Sequence, residues 1–159
     1  MQSYVPLKCH SDYSLLKSTC TPEQISVRLK EVGSGVCSIT DYDSLSGVPP
    51  FLKGIKDGCK HCGYKQERHE DGKGKCVLKD VKCPGFEKND VKGILGVKLS
   101  LSKFDPAIKD ETNLETSYIH LLAKNKNGWK NLIKGFSEAN REEFFYKKPR
   151  LDFNRLSKY

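Results

Sequence analysis

Two groups of residues in this chain are of types, and at spacings, that could do chemistry. The first is the run His10-Ser11-Asp12-Tyr13-Ser14-Leu15-Leu16, read with Ser38-Ile39-Thr40-Asp41 downstream. A histidine and an aspartate stand where two apolar segments run out into loops, and in α/β folds ligand and metal chemistry gathers at the carboxyl ends of strands. The second is Cys59-Lys60-His61-Cys62-Gly63-Tyr64. Two thiolates separated by two residues can bind one ion, and the glycine permits the tight turn after the second ligand. Cys76 and Cys83, the latter followed by Pro84-Gly85, supply two more. Cys59, Cys62, Cys76 and Cys83 are therefore expected to form a tetrahedral structural zinc site. The second pair is wider than a ribbon usually allows, so a small hairpin between Cys76 and Cys83 is expected. His61 and His69 are alternative fourth ligands. Cys9, Cys20 and Cys37 read as ordinary small core or strand residues.

The bulk properties set limits on the partners. The chain has 159 residues, the size of one domain, with 36% apolar and 30% charged residues. That is lean for a globular core, but the apolar residues are clustered. The net charge of +8 points to a polyanionic partner, usually nucleic acid, bound through phosphate contacts, or else to a soluble lysine-rich surface. No run of about 18 apolar residues exists, which excludes a helical membrane span. The first eight residues lack the apolar core of a signal peptide, so the chain reads as cytoplasmic. Seven cysteines in that compartment are thiols or metal ligands rather than disulfides.

The elements that must position these groups follow from pattern. Tyr4 to Cys9 is a short first strand. Thr21 caps a helix that has Pro22 at its first position and Gln24 completing a capping box. Ile25, Leu29 and Val32 share its apolar face, and Gly33 and Gly35 end it. Val36 to Thr40 is a buried strand closed by Asp41. Phe51, Leu52 and Ile55 lie on a second helix that the two prolines confine to starting near Pro50. The composition changes at Gly58: residues 59–90 are rich in Lys, Gly and Cys and poor in large apolar side chains. Without a core of its own, such a segment needs a metal. Lys60, Lys65, Arg68, Lys73, Lys75, Lys79 and Lys82 surround the cysteines and could meet DNA phosphates. Gly93 to Leu101 and Tyr118 to Ala123 return to strand content. Asn127 caps a last helix carrying Trp129, Leu132, Ile133 and Phe136. The chain divides into 1–58, an insertion at 59–90, and 91–159. The alternation of strands and helices predicts a mostly parallel α/β sheet or part of a barrel.

Four segments together resemble the N-terminal PHP (polymerase and histidinol phosphatase) domain of bacterial DNA polymerase III alpha subunits. They are His10 to Leu16; Ser38 to Tyr42 with Leu45 and Gly47; Gly93-Ile94-Leu95-Gly96; and His120 to Asn125, followed by Gly128 to Leu132 and Phe145 to Asp152. The resemblance implies part of a distorted (β/α)7 barrel with metal ligands at the strand ends, interrupted by a small zinc-ribbon-like insertion. It also implies a fragment of a polymerase (a nucleotidyltransferase), or one piece of a split polymerase gene as found in some phages, without the polymerase carboxylates. At the ligand positions of the family the sequence departs. The His-x-His of the first motif reads Lys8-Cys9-His10, an acidic position is Lys17, an Asp-His pair reads Asp41-Tyr42, and a glutamate position is Lys98. Ammonium groups repel a metal cation. His10, Asp41 and His120 remain as a degenerate site. The lysines are expected to pair with Asp12 and Asp41, and the two histidines to be satisfied structurally.

Three functions follow from this reading. The first is a non-catalytic segment of a replicative polymerase, packed on the remainder of that chain or on a complementing subunit. The second is a metal-dependent phosphoesterase. The third is a small zinc-ribbon nucleic-acid binder. A half-barrel would leave strand edges and apolar surface that call for a partner.

Overall fold

A computed structural model describes residues 4–69 and 83–159. The order is α1 (Pro22–Glu31), β1 (Val36–Ile39), α2 (Val48–Asp57), β2 (Lys92–Ser102), β3 (Thr116–Leu122), α3 (Lys126–Ala139) and the short α4 (Phe153–Leu156). Among the described residues no helix is long and apolar enough to cross a membrane.

The capping box at α1 forms as its residues dictate. Gln24 N–H donates to the Thr21 hydroxyl and Thr21 N–H donates back to Gln24 Oε1. Ile25 and Leu29 turn inward, whereas Val32 is the C-cap and half-exposed. α2 begins at Val48 rather than at Pro50, which puts both prolines in the first turn, where a missing N–H costs nothing. α3 is capped by Asn125, not by Asn127: the Asn125 side chain accepts from Gly128 N–H at 2.9 Å.

The sheet has the order β1-β2-β3 and is mixed rather than mostly parallel. β1 runs parallel to β2, with Val36 opposite Lys92 and Ile39 opposite Leu95. β2 and β3 pair antiparallel from Gly96↔Leu122 to Ser102↔Thr116. The reason is the connection between them, which carries one short turn at Glu111–Asn113 and no crossover helix, so the strand returns alongside its predecessor. Three strands do not make a barrel, and the described residues go no further than this sheet. The expected first strand is not regular, because Pro6 lacks an N–H. Its segment instead follows β1 through Ser38 N–H to Pro6 O and Thr40 N–H to Cys9 O.

Two cores flank the sheet. Ile25, Leu29, Cys37, Ile39, Val48, Phe51 and Ile55 join α1, β1 and α2. Val97, Leu99, Leu132, Ala139 and Leu151 join β2 to α3 and the tail. The alternation along β2 then matters for function. Val97 and Leu99 face α3, so Lys98 and Ser100 face the other way, toward the loop after β1. In the tail, the buried Arg150 guanidinium donates to the carbonyls of Asn113 and Pro106 at 2.8 Å, fixing the long β2–β3 connection.

Candidate functional site

The loop after β1, the run from His10 and the facing residues of β2 and β3 meet in one place. Asp41 is 1% exposed, and its carboxylate is fully engaged. It accepts from Ser11 N–H at 2.6 Å, from the Ser11 hydroxyl at 2.7 Å and from the Ser14 hydroxyl at 2.7 Å. Gly47 is required beside it, since a Cβ there would collide with Asp41 Oδ2 and come within 2.7 Å of Ser11 Oγ. The expected pairing of lysines with Asp41 is therefore incorrect: serine hydroxyls hold that carboxylate at short range. Ser11 and Ser14, which the sequence places in the run from His10 without a role, are its partners, and only the i, i+3 spacing of two hydroxyls hints at it.

Lys98 makes a different contact. Its ammonium donates to the Tyr42 hydroxyl at 2.5 Å, and lies 3.9 Å from the Tyr42 ring centroid and 4.9 Å from that of Tyr118. A cation over two aromatic faces is stabilised by the ring quadrupoles. The hydrogen bond from Lys98 holds the Tyr42 phenol below its ordinary range.

His10 and His120 come together, with ring centroids 6.0 Å apart. His120 sits directly opposite Lys98 in the β2–β3 register. A carbonyl can only accept, so His10 Nδ1–H donates to Thr40 O, at 2.5 Å, and the neutral ring keeps its lone pair on Nε2. That Nε2 and the Nε2 of His120 are both buried without a hydrogen-bond partner. The expectation of fully satisfied histidines is corrected on this point. Burial, reinforced by Lys98 and Lys8, holds both imidazoles below the ordinary histidine range, and so neutral.

The second site lies in the cysteine-bearing segment that follows α2. Cys59, Cys62, His69 and Cys83 are all buried, and their ligand atoms lie within 4.8 Å of one another. Among the described residues this is the one such group of three or more metal-ligating side chains. A tetrahedral zinc ion, with Zn–S of about 2.3 Å and Zn–N of about 2.0–2.1 Å, requires S···S edges of about 3.8 Å and S···N edges of about 3.6 Å. The Cys59–Cys83 sulfurs are 3.8 Å apart. His69 Nε2 is 3.6 Å from Cys62 Sγ and 3.4 Å from Cys83 Sγ. The donor set and its edges fit zinc. Cys76 lies outside the described residues.

Local structure explains how these side chains meet. Gly63, at φ +78°, turns the chain after Cys62, and its N–H donates to Cys59 O at 2.8 Å. A Cβ on Gly63 would stand 2.6 Å from Val27 Cα, so the knuckle is pressed onto α1. The turn Gln66–Arg68 then brings His69 back toward the cysteines. His69 Nδ1–H donates to Lys65 O at 3.2 Å, which fixes the tautomer and aims the Nε2 lone pair at the sulfurs. Burial opposes ionisation of Cys59, but hydrogen bonds from the surrounding backbone and Cys83 outweigh it and lower Cys59 to about 6. Burial pushes Cys62 and Cys83 up. Three crowded thiols can all ionise only beside a cation.

Comparison with known proteins agrees with this framework. The PHP domain model matches residues 6–159. The chain is similar to DNA polymerase III subunit alpha of Borreliella burgdorferi, with 28% identity over 158 residues, covering 98% of this chain and 11% of that one. It is similar to the same subunit of Chlamydia trachomatis, at 27% over 160 residues, covering 99% and 10%. It is also similar to that of Aquifex aeolicus, at 27% over 165 residues, covering 99% and 12%. The chain thus spans about a tenth of the length of the curated relatives it matches.

Proposed function

The chain belongs to the PHP domain family, and from that premise we propose that it is the N-terminal PHP segment of a replicative DNA polymerase of the polymerase III alpha type, acting as a structural rather than a catalytic part. The observation that carries the non-catalytic reading is Lys98. A hydrolytic centre of two or three metal ions needs carboxylates and imidazoles converging on one point. Here an ammonium faces His120 across the strand pair, and Asp41 spends both its oxygens on Ser11 and Ser14. His10, Asp41 and His120 are on this reading a degenerate site.

The metal in the insertion is zinc, held by Cys59, Cys62, Cys83 and His69. Its role is to fold a segment that has almost no apolar core, and it takes no part in hydrolysis. The partner is the remainder of the polymerase chain or a complementing subunit, and DNA is the substrate of the assembly. The much greater length of the relatives supports this, as do Leu15 and Leu16, which are 81% and 94% exposed. A cytoplasmic setting belongs to the same reading.

One observation favours a second reading, a metal-dependent phosphoesterase: the unpartnered Nε2 atoms of His10 and His120. The test is a phosphodiester hydrolysis assay on the purified chain with added Mn²⁺ or Zn²⁺. No turnover above background is expected. Metal-dependent turnover that His10→Ala abolishes would overturn the structural reading.

A further inference from the structure

Between α2 and the metal-binding insertion lies a cleft of about 320 Å³, within the size range of ligand sites. Lys53 and Lys56, three residues apart on one face of α2, form one wall. Lys65 and Gln66, from the turn that leads to His69, and Phe86 and Lys88, which follow Cys83, form the other. Asp57 and Glu67 also line it, so four ammonium groups face two carboxylates. Lys65 is shared with Glu23 on α1 at 3.7 Å. Among the described residues, Lys53, Lys56 and Lys88 have no carboxylate at ion-pair distance. Phe86 packs edge-on against the imidazole of His69, with ring centroids 5.4 Å apart and planes at 77°. The metal ligands and the far wall of the cleft are therefore one unit.

We propose that this cleft binds the backbone of single-stranded DNA, with the insertion closing a groove whose other side is α2. A positively charged groove beside an aromatic side chain is what a single strand needs: lysines follow the phosphates, and the part of Phe86 that lines the cleft is the apolar surface a base would meet. Lysines on both walls allow a strand to be gripped from two sides, which a convex basic surface does not. The choice of DNA as the polymer rests on the polymerase reading; the location rests on the cleft alone.

The test uses the full chain in its zinc-loaded form and a fluorescent oligo-dT of about twelve nucleotides, near the upper range of a single-strand site. Anisotropy is recorded from low to high salt. Lys53→Glu with Lys56→Glu should weaken binding about tenfold or more at low salt. It should also lower the slope of log K against log salt by about 1.4, two phosphates being lost from a single strand. Lys130→Glu with Lys134→Glu makes the same charge change on the exposed face of α3 and should keep the wild-type slope. Equal losses in the two double variants would mean diffuse charge and would overturn the proposal. So would the absence of binding, or tighter binding of duplex DNA or oligo-rU than of oligo-dT. Zinc content and far-UV circular dichroism, unchanged in both variants, separate this outcome from failure of the insertion to fold. The hydrolysis assay, which these lysines do not touch, tests the structural, non-catalytic reading of the segment independently.

Discussion

Replacing His69 with alanine tests the metal site where the spacing of cysteines and the folded geometry point to different fourth ligands. His69 is 3% exposed, and its Nε2 supplies the two S···N edges that match a zinc tetrahedron. Structural zinc in small peptides contributes about 10–16 kcal/mol, so one ligand in four carries on average about 2.5–4 kcal/mol, or roughly two to three decades in affinity. The assay is competition for zinc against a chromophoric chelator, on the reduced full chain, with metal content checked by elemental analysis. Wild type should hold one zinc per chain. His69→Ala should lose about two to three decades, and His69→Cys, whose thiolate sits closer to the backbone than Nε2, should recover part of it as the turn before it closes in. Recovery by cysteine separates loss of a ligand from loss of a buried ring. Cys76→Ser, made alongside, should leave the affinity near wild type. Unchanged affinity in His69→Ala together with loss in Cys76→Ser would refute the reasoning and return the site to Cys59, Cys62, Cys76 and Cys83.

Three further outcomes follow from the strand-end site. Asp41→Ala strands Ser11 N–H and two hydroxyls in a buried place, and should cost about 3–5 kcal/mol in chemical denaturation; a cost below about 1 kcal/mol would show that the serines find other partners. For His10 and His120 the folded pKa lies below the unfolded value, so the unfolded chain binds more protons as pH falls. Stability should therefore be full above about pH 6.5 and decline as pH drops through that value toward the folded pKa values. Burial and the lysines Lys98 and Lys8 favour the neutral rings, while Asp41 and the Thr40 carbonyl favour the charged form of His10. Lys98→Met should then raise both histidine pKa values in an NMR titration. Unmoved resonances would remove Lys98 from the account.

Much of the framework was legible because local rules and the fold agree. The capping box at Thr21, the apolar face of α1, the strand after Gly35 and the change of composition at Gly58 all depend on neighbours in sequence. Errors arose where distant groups decide. The antiparallel return of β3 depends on a connection that Arg150 fixes from the far end of the chain, which no window of sequence reveals. Asn125 and Asn127 are equally good caps by residue type, and tertiary packing of α3 on β2 chooses the first turn. In the insertion, Cys-x-x-Cys and Cys83 were read from spacing. His69, which the sequence offers only as an alternative ligand, is carried in by a single turn that cysteine spacing does not reveal, and Cys76 lies outside the described residues.

Charge separates the two candidate metal sites. A divalent ion about 4 Å from the Lys98 ammonium would meet a repulsion of about 8 kcal/mol at an effective dielectric near 20, comparable with what a structural zinc site supplies in total. Two neutral imidazoles cannot offset that. Nor does the framework need an ion there. Asp41 with Ser11 and Ser14 ties the loop after β1 to the run from His10, and Lys98 between Tyr42 and Tyr118 ties the same loop to β2 and β3. The insertion is in the opposite position. Among its described residues it packs Tyr64 and Phe86 around Cys59, Cys62 and Cys83 and has little else to bury. Two of its thiols are pushed away from ionisation by burial, and a cation removes that cost. On the proposed reading a metal stabilises the chain where its apolar core is thinnest, and is not needed where hydrogen bonds and a cation–π contact already hold the strand ends.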